Sequence, residues 1–358
     1  MSHAAPTTRR RLRERPVVAF LTALVLIAAT FTGLSVGPFT SIASATDGDM
    51  TLTVTTIFVA QQVEMPIAGT VTGTVTIDWG DSSSSSVTTA GNVPHVYGSP
   101  GTYTVSIAGS FTHFGVCGSG GIDGVETFTA VTAWGNNDTI DFSCAFFNAT
   151  SLVSVPAALP TTTPIVSTAV MFYGASSFNQ DISGWDTSSI FDMSYMFNGA
   201  SSFNQDISGW DTSNVVDMSS MFNDAISFNQ PIQMWDTSSV LDMYSMFARA
   251  AVFNQNLGNW NIAQVMTMAS MLDGTGLSTS NYSNTLIGWA AQHPQTNVVL
   301  GADGLVYDQS AVAARAALIS SYIWSISGDT FSPSPGPSTS TTSSSPDPGD
   351  VVIPQFAG

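Results

Sequence analysis

A 25-residue period governs the middle of this 358-residue chain. The segment Phe-Asn-Gln begins at residues 178, 203, 228 and 253, and a tryptophan follows seven positions later in every copy. A fixed period of 20 to 50 residues indicates one supersecondary unit stacked on copies of itself. Such a stack buries a continuous core and exposes a long surface, so a chain of this kind usually binds partners rather than catalysing a reaction.

Each regular unit reads Phe-Asn-Gln-x-Ile-x-x-Trp-Asp-Thr-Ser-x-Val-x-Asp-Met-x-x-Met-Phe-x-x-Ala. This pattern resembles the BspA-like (bacterial surface protein) leucine-rich-repeat family, in its Met-x-x-Met-Phe variant. The resemblance implies an extracellular solenoid used for attachment and protein–protein contact, without chemistry. Regular copies cover residues 178–272, and a degenerate copy reaches back to Trp134, so we assign 115–272 to the solenoid. Three- and four-residue steps from Met218 to Ala225 also predict a short helical turn in each unit.

Residues 46–114 alternate between apolar and polar side chains in several short stretches, which predicts half-buried strands. The motifs Asp-Trp-Gly-Asp at 78–81, His-x-Tyr at 95–97 and Pro-Gly-Thr-Tyr-Thr-Val at 100–105 resemble the polycystic-kidney-disease (PKD) domain. That resemblance implies an immunoglobulin-like β-sandwich, used in secreted proteins as a spacer or adhesion module. The expected fold class is therefore mainly β with short helices, a sandwich followed by a leucine-rich-repeat-type solenoid.

After the repeats, residues 273–330 are expected to form an α/β C-terminal cap. Helices are predicted at 282–292, with Leu286, Ile287 and Trp289 facing inward, and at 311–322, with a strand at 298–300 between them. Residues 331–358 are rich in Pro, Ser and Thr, a composition that predicts a disordered tail.

The N-terminus predicts export from the cell. A basic stretch ends at Arg15, an apolar run follows from Val17, and Ala43-Ser44-Ala45 supplies a small-x-small cleavage pattern. Residues 1–45 therefore read as a secretory signal peptide, with no membrane span left after cleavage. A retained transmembrane anchor is the alternative, because the apolar run is long enough to cross a bilayer. Either interpretation gives a secreted or cell-surface protein.

The charge balance limits the partners. The net charge is −18, lysine is absent, and removal of the signal peptide leaves Arg249 and Arg315 as the only basic residues. Contacts that neutralise phosphate groups are then almost unavailable, which excludes nucleic acid as a partner. An extracellular or cell-surface protein is the expected partner, and a polysaccharide, with or without calcium, is the alternative.

Little in the composition suggests catalysis. Histidine is scarce, and Cys117 and Cys144 are the only cysteines. An oxidising exterior favours their pairing as a disulfide, but the sequence leaves the pairing open. The chain has almost none of the residues that form nucleophile–base pairs or metal clusters. We therefore predict a protein that is not an enzyme and needs no cofactor.

Two rows of aspartates recur with the period. The first, which we call the outer row, comprises Asp186, Asp211 and Asp236, and the second, the inner row, comprises Asp192, Asp217 and Asp242. Short polar side chains of this kind cap turns by bonding local backbone. The alternative for the outer row, and for Asp78 and Asp81, is weak calcium binding, although calcium prefers six to eight oxygens. The inner row is a candidate binding surface.

Asparagine and tryptophan form two further rows. Stacked asparagines, one in each Phe-Asn-Gln segment, are expected to form a ladder of side-chain amides between coils. The tryptophans, at positions 185, 210, 235 and 260, are expected to be core residues, because large aromatics dominate burial. Exposure of the tryptophan row would instead favour a platform for stacking on polysaccharide.

Overall fold

The computed structural model describes residues 48–117 and 121–333. The predicted signal peptide, residues 1–45, lies outside them, as do residues 334–358 of the predicted tail. Within the described residues the protein is mainly β with few short helices, which confirms the coarse fold class predicted from the sequence.

Six strands near the N-terminus form one antiparallel hydrogen-bonded sheet. They are β1 (Met50–Thr56), β2 (Gln61–Asp78), β3 (Ser84–Val87), β4 (Gly91–Tyr97), β5 (Gly101–Phe114) and β6 (Phe128–Ala133). The long β2 pairs with β4 over residues 61–67, with β5 from Ile67 onward and with β3 over its last four residues. β6 pairs with β1, so this sheet extends beyond residue 114, where the sequence places the end of the first domain.

An aromatic cluster fills one end of this sheet. Trp79 and Tyr97 are fully buried, and the Tyr97 hydroxyl donates to the main-chain carbonyl of Trp79 at 2.9 Å. Tyr103 stacks on Tyr97 with ring centroids 4.1 Å apart, but it is only half-buried because its hydroxyl reaches the Ser99 carbonyl at the surface. The motif that ends β2 therefore anchors the turn into β3 through buried rings.

From residue 141 onward the chain winds into coils that hydrogen-bond to one another in parallel. Each pair of consecutive coils is joined by a bridge one residue long, and the bridged positions are Asp141, Ser167, Asp192, Asp217, Asp242 and Thr267. The same ladder reaches β5 through His113 and continues into the C-terminal part through Met268 and Leu300. The sheet, the coils and the C-terminal elements are thus connected by main-chain hydrogen bonds.

Each coil contains a run of hydrogen-bonded turns where the sequence predicts a short helical turn. Successive main-chain N–H groups in these turns donate alternately to a carbonyl of the next coil and to a carbonyl three residues back in the same coil. Met218, Ser220 and Phe222 donate to carbonyls of the following coil, whereas Met221 donates to the carbonyl of Met218 three residues back. An α-helix needs an unbroken series of bonds to the fourth preceding residue. The alternation prevents that series, so the helix prediction is wrong for residues 141–272, all of which the structure describes.

One hydrophobic core runs from the sheet through the coils to the C-terminal elements. Within the coils, equivalent phenylalanines stack on each other, and the Phe222 and Phe247 ring centroids lie 5.6 Å apart with nearly parallel planes. Buried isoleucine, tryptophan and methionine rows complete the interior of every coil. Because each coil covers the apolar face of its neighbour, no coil could bury its own core alone.

The C-terminal elements close the last coil. They are α1 (Thr279–Ala290), β7 (Val299–Gly301), β8 (Val306–Tyr307), α2 (Val312–Ser321), β9 (Ser325–Ser327) and β10 (Thr330–Phe331). Tyr282, Leu286 and Trp289 form the inner face of α1, following helical periodicity. Ile287 lies off that face and is 37% exposed, so the prediction that it faces inward is wrong. Among the described residues, no helix is long and apolar enough to cross a bilayer.

Candidate binding surface of the repeat coils

The asparagine of each Phe-Asn-Gln segment links its coil to the next one. Asn204 Oδ1 accepts hydrogen bonds from the Asn229 backbone N–H at 3.0 Å and from Gln230 Nε2 at 2.8 Å. The preceding and following copies repeat this arrangement. In the last copy the donors are Ser278 N and Asn281 Nδ2, so α1 continues the ladder. The side-chain oxygens of these asparagines therefore hold consecutive coils together.

The tryptophan row lies in the core. All four side chains are at most 4% exposed, and neighbouring rings stack with centroids 6.3 to 6.5 Å apart. Each indole N–H donates to a main-chain carbonyl of the preceding coil, as Trp235 does to Ile207 at 3.1 Å. Trp289 in α1 repeats this bond to Leu257. The buried rings offer no face on which a sugar ring could stack.

The outer aspartate row is exposed and caps turns. Asp211 Oδ1 accepts hydrogen bonds from the Ser213 backbone N–H at 3.0 Å and from the Ser213 hydroxyl at 2.6 Å. The bond from a serine hydroxyl, followed by the bond from its backbone N–H, holds the pKa of Asp186, Asp211 and Asp236 below its ordinary value. These weak calcium candidates therefore have local hydrogen-bond donors for one carboxylate oxygen each.

The inner aspartate row is half-buried and lies on the bridge ladder. In each case Oδ1 accepts a hydrogen bond from the backbone N–H two residues ahead, at 2.9 Å for Asp192, 2.8 Å for Asp217 and 2.7 Å for Asp242. Burial raises the pKa of Asp242 above its ordinary value, although the bond from the Tyr244 N–H opposes the shift. Asp217 nearby raises that pKa further. A cationic group placed beside this row would relieve both causes.

The other weak calcium candidates lie in the turn after β2. Asp78 Oδ1 accepts from the Gly80 N–H, and Asp81 accepts from Ser83 and contacts His95 Nε2 at 2.9 Å. Burial alone would raise the pKa of Asp81, but the bonds from Ser83 and His95 together leave it below its ordinary value. Across residues 48–117 and 121–333, no three His, Cys, Asp or Glu side chains come together as metal ligands would.

The two cysteines are bonded to each other. The Cys117–Cys144 disulfide fastens the segment after β5 to the first coil and spans 27 positions of the chain. The sequence left this pairing open, because separation along the chain does not fix the distance between two side chains.

The coils also carry an exposed row of apolar side chains that was not predicted from the sequence. At the position directly before the bridge ladder, every coil carries a large apolar residue, and these residues form what we call the apolar stripe: Ile140, Val166, Phe191, Val216, Leu241 and Met266. Main-chain bonds of 2.8 to 3.0 Å connect each of them to the next, so the stripe follows the full length of the coils. A signal was present in the sequence, since an apolar residue precedes each inner-row aspartate.

The exposure of the stripe is high for apolar side chains. Phe191 is 50% exposed, Met266 is 65% exposed, and Ile140 and Val216 are each 37% exposed, while the other two members are half-buried. Single exposed apolar residues are ordinary, but contiguous apolar patches mark interaction sites. The inner-row aspartates follow three stripe residues directly in the chain, so the stripe has a negatively charged border.

Other exposed apolar residues do not form a row of this kind. Met234 is 77% exposed, but glycines occupy the equivalent position of the two preceding coils, so it has no row. Ile57, Phe58 and Val59 form the exposed tip of the loop between β1 and β2, where Gln61 Oε1 accepts from the first two backbone N–H groups. The stripe has six members, twice as many as this loop tip, and it is the longest exposed apolar row of the coils.

Comparison with known proteins gives one match. Residues 166–286 match a protein-family model described as a Mycoplasma protein of unknown function, DUF285. Neither the curated proteins nor the solved structures gave a match. The matched segment begins at Val166 in the apolar stripe and ends at Leu286 in α1. The regular coils and the helix that continues their ladders are therefore the part of this chain that is similar to that family.

Proposed function

We propose that this protein is a secreted or cell-surface binding protein that attaches to a protein partner through its repeat coils, without catalysing a reaction. The observation that carries the proposal is the apolar stripe from Ile140 to Met266, bordered by the inner aspartate row. If this surface bound no partner, we would expect polar residues at these exposed positions. The partner surface that fits is an apolar strip flanked by basic side chains.

Electrostatics supports a basic partner. Arg249 is the only basic residue of the coils, and it pairs with Asp224, with Nη2 to Oδ2 at 2.6 Å. Asp141 Oδ2 lies 4.0 Å from His113 Nδ1, and the other aspartates of the coils form no ion pair among the described residues. Complementary charge raises association rates and selects among partners more than it adds affinity. The stripe would supply affinity, and the aspartate rows would supply selectivity.

The fold that we propose for this function is a PKD-like, immunoglobulin-like sandwich followed by a BspA-like, leucine-rich-repeat-type solenoid. Parallel bridges between successive 25-residue units support the solenoid, and the antiparallel sheet with its buried Trp79 supports the PKD-like domain. The matching family is described as having unknown function, so it adds nothing about activity.

The buried tryptophans favour a protein partner over a polysaccharide. Recognition of sugar rings through this row would require an exposed aromatic face, and the row is at most 4% exposed. Calcium assistance has little support, because the outer row and Asp81 already accept hydrogen bonds from serines. A glycan array that bound the chain in calcium and lost it on chelation would overturn this preference.

Export is part of the proposal and rests on the sequence of residues 1–45. Cleavage after Ala45 would leave a mature chain that begins at Thr46. N-terminal sequencing of the protein recovered outside expressing cells tests this point. Recovery only in the cytosol, with Met1 retained, would contradict it.

The binding test uses one pair of matched variants. The full chain is screened against extracellular-matrix and cell-wall components, and each hit is repeated with Met266→Ser and with Met234→Ser. Both changes remove an exposed methionine from the coils, but only the first lies in the stripe. We expect Met266→Ser to weaken binding and Met234→Ser to leave it unchanged. A third variant, Phe191→Ser combined with Met266→Ser, should weaken binding at least about tenfold, equivalent to about 1.4 kcal/mol. Equal affinities for all variants would refute the role of the stripe.

A further inference from the structure

A surface cavity interrupts the regular coils beside Asp186. Its volume is about 240 Å³, and it lies between the loop 157–164 and the coil segment 184–189. The walls are largely apolar, from Leu159, Pro160, Pro164 and Ile165, while Asp186 and Ser189 contribute polar groups.

The cavity follows from an irregularity of one coil. Trp185 donates to the Pro156 carbonyl as Trp210 does to the Ile182 carbonyl, so residues 156 and 182 are equivalent. The next buried isoleucine after Pro156 is Ile165, nine residues later. The next one after Ile182 is Ile190, eight residues later. One residue is therefore inserted in the proline-rich loop.

The same coil also lacks the bulky residue of the tryptophan row. Leu159 occupies the tryptophan position, and Trp134 and Trp185 contact each other instead, with centroids 6.1 Å apart. A longer loop and a smaller side chain together leave space that the regular coils fill. The regular copies at 178–272 have neither the inserted residue nor a leucine in the tryptophan row.

Asp186 presents an available charge to this space. Its Oδ1 accepts both hydrogen bonds from Ser188, and no described residue donates to its Oδ2. On one side of Asp186 lies Asp211 of the next coil, and on the other side lies the loop that carries Pro160. Among the described residues no basic side chain pairs with this carboxylate.

We propose that the cavity is a subsite for one basic side chain, arginine or lysine, of the bound partner. Apolar walls suit the aliphatic part of such a side chain, and the Asp186 carboxylate suits its charged end. The volume is below the ~300 Å³ at which pockets for drug-sized ligands begin, which favours a single side chain. One carboxylate cannot supply the six to eight oxygens that calcium takes. This inference rests on the proposed function and adds the residue type that the partner presents.

The test is a titration of the full chain followed by NMR. The probe is arginine blocked at both ends, Nα-acetyl-arginine methylamide, and the uncharged control is the matching citrulline compound. Ionic strength is kept low, because 0.1 M salt screens exposed charges beyond about 10 Å. The variants are Asp186→Asn and Asp211→Asn, which neutralise equivalent outer-row carboxylates that both accept from a serine two residues ahead. Only the first of these carboxylates lines the cavity.

We expect saturable shifts of the Thr161 and Ser189 amide signals with blocked arginine and none with citrulline. Asp186→Asn should weaken this binding at least tenfold, and Asp211→Asn less than twofold. Equal effects of the two variants, or shifts that do not saturate, would overturn the proposal. An Ala-Ala-Arg-Ala-Ala peptide distinguishes the source of the cation. If blocked arginine binds and the peptide does not, the site takes a free cation, and its assignment to a partner side chain is wrong.

The two proposals fail separately. Phe191→Ser should leave the binding of blocked arginine unchanged, because Phe191 does not line the cavity. If blocked arginine does not bind but partner binding still depends on the stripe, only the cavity proposal is wrong. Arginine binding without any stripe-dependent partner would remove the proposed function and leave a cation site.

Discussion

Replacing Trp235 by phenylalanine tests how the coils are held together. The side chain is 4% exposed, its indole N–H donates to the Ile207 carbonyl at 3.1 Å, and its ring stacks between Trp210 and Trp260. Trp235→Phe keeps an aromatic ring in the row but removes the donor. Since Ile207 is fully buried, water cannot readily replace the lost hydrogen bond.

The expected cost has two parts. The Ile207 carbonyl keeps its bond from the Trp210 backbone N–H at 3.1 Å, so the loss of one of its two hydrogen bonds costs about 0.5–1.5 kcal/mol. The smaller ring vacates about 40 Å³, which at about 24 cal/mol per Å³ adds about 1 kcal/mol. The free energy of unfolding should therefore fall by about 1.5–2.5 kcal/mol. With a urea m-value of about 3 kcal/mol per M, the unfolding midpoint should fall by about 0.5–0.8 M.

Urea unfolding followed by circular dichroism measures this shift, and Phe191→Leu is the control. That variant also shortens an aromatic side chain of the coils, but Phe191 is half exposed, so a change within about 0.5 kcal/mol is expected. If Trp235→Phe and Phe191→Leu unfold at the same urea concentration, the tryptophan N–H bonds do not stabilise the coils. The loss of unfolding free energy in the double variant Trp210→Phe/Trp235→Phe should differ from the sum of the losses in the two single variants, because the two rings are in contact.

Three further variants test other parts of the structure. Asn204→Ala removes the acceptor for two donors of the next coil, and the urea midpoint should fall by an amount equivalent to about 1 kcal/mol. Asp242→Asn and Asp211→Asn should have opposite effects at pH 7, the first raising and the second lowering the melting temperature, because the folded-state pKa is raised at one site and lowered at the other. The Asp242 effect should fade as the pH falls from its raised folded-state pKa to the ordinary value of 3.8, whereas the Asp211 effect should fade only as the pH falls from 3.8 through its lowered folded-state pKa. Persistence of the Asp242 effect at pH 2 would contradict this reasoning. Arg315→Met leaves the Asp329 carboxylate, 1% exposed, without its ion pair and should destabilise the chain by about 3–5 kcal/mol, measured by thermal unfolding.

The sequence predicts the interior of the coils well, because the rows that point inward are chemically uniform. Phenylalanine, isoleucine, tryptophan and methionine recur at fixed positions and are buried, as with Phe203 and Trp210, both at most 4% exposed. The asparagine ladder was also predictable, since an amide repeated in every coil can bond its neighbours above and below. These rows repeat because every coil faces the same neighbour.

The local conformation of the coils was less predictable. Steps of three and four residues between Met218, Met221 and Phe222 are typical of helices, yet the coil uses turns. Periodicity reports which side chains share a face but not where backbone N–H groups donate. In this chain half of those groups in the turn region donate to the next coil, a choice that only the stacked arrangement allows.

The candidate site was partly hidden for a related reason. Ile140, Phe191, Val216 and Met266 are all apolar, but they are different residues, so a search for identical repeats passes over them. Their exposure comes from backbone direction: each lies next to a buried residue of the same coil and faces away from the core. Large apolar side chains in a repeat are ordinarily read as core, and only the geometry separates the outward row from the inward ones.

A partner that binds along repeated coils can occupy several equivalent positions, and the irregular coil distinguishes one of them. A partner lying along the apolar stripe meets a similar apolar ridge and aspartate border at every 25-residue step, from Phe191 to Val216 to Leu241. Displacement by one coil would therefore change the contact area little, just as a uniform strand is poorly specified against slippage. The cavity beside Asp186 depends on an inserted residue and on Leu159 in the tryptophan row, two features that the regular coils at 178–272 do not share. A basic side chain seated there would fix the partner at one position along the stripe. The regular coils would then provide affinity, and the single irregular coil would provide the register.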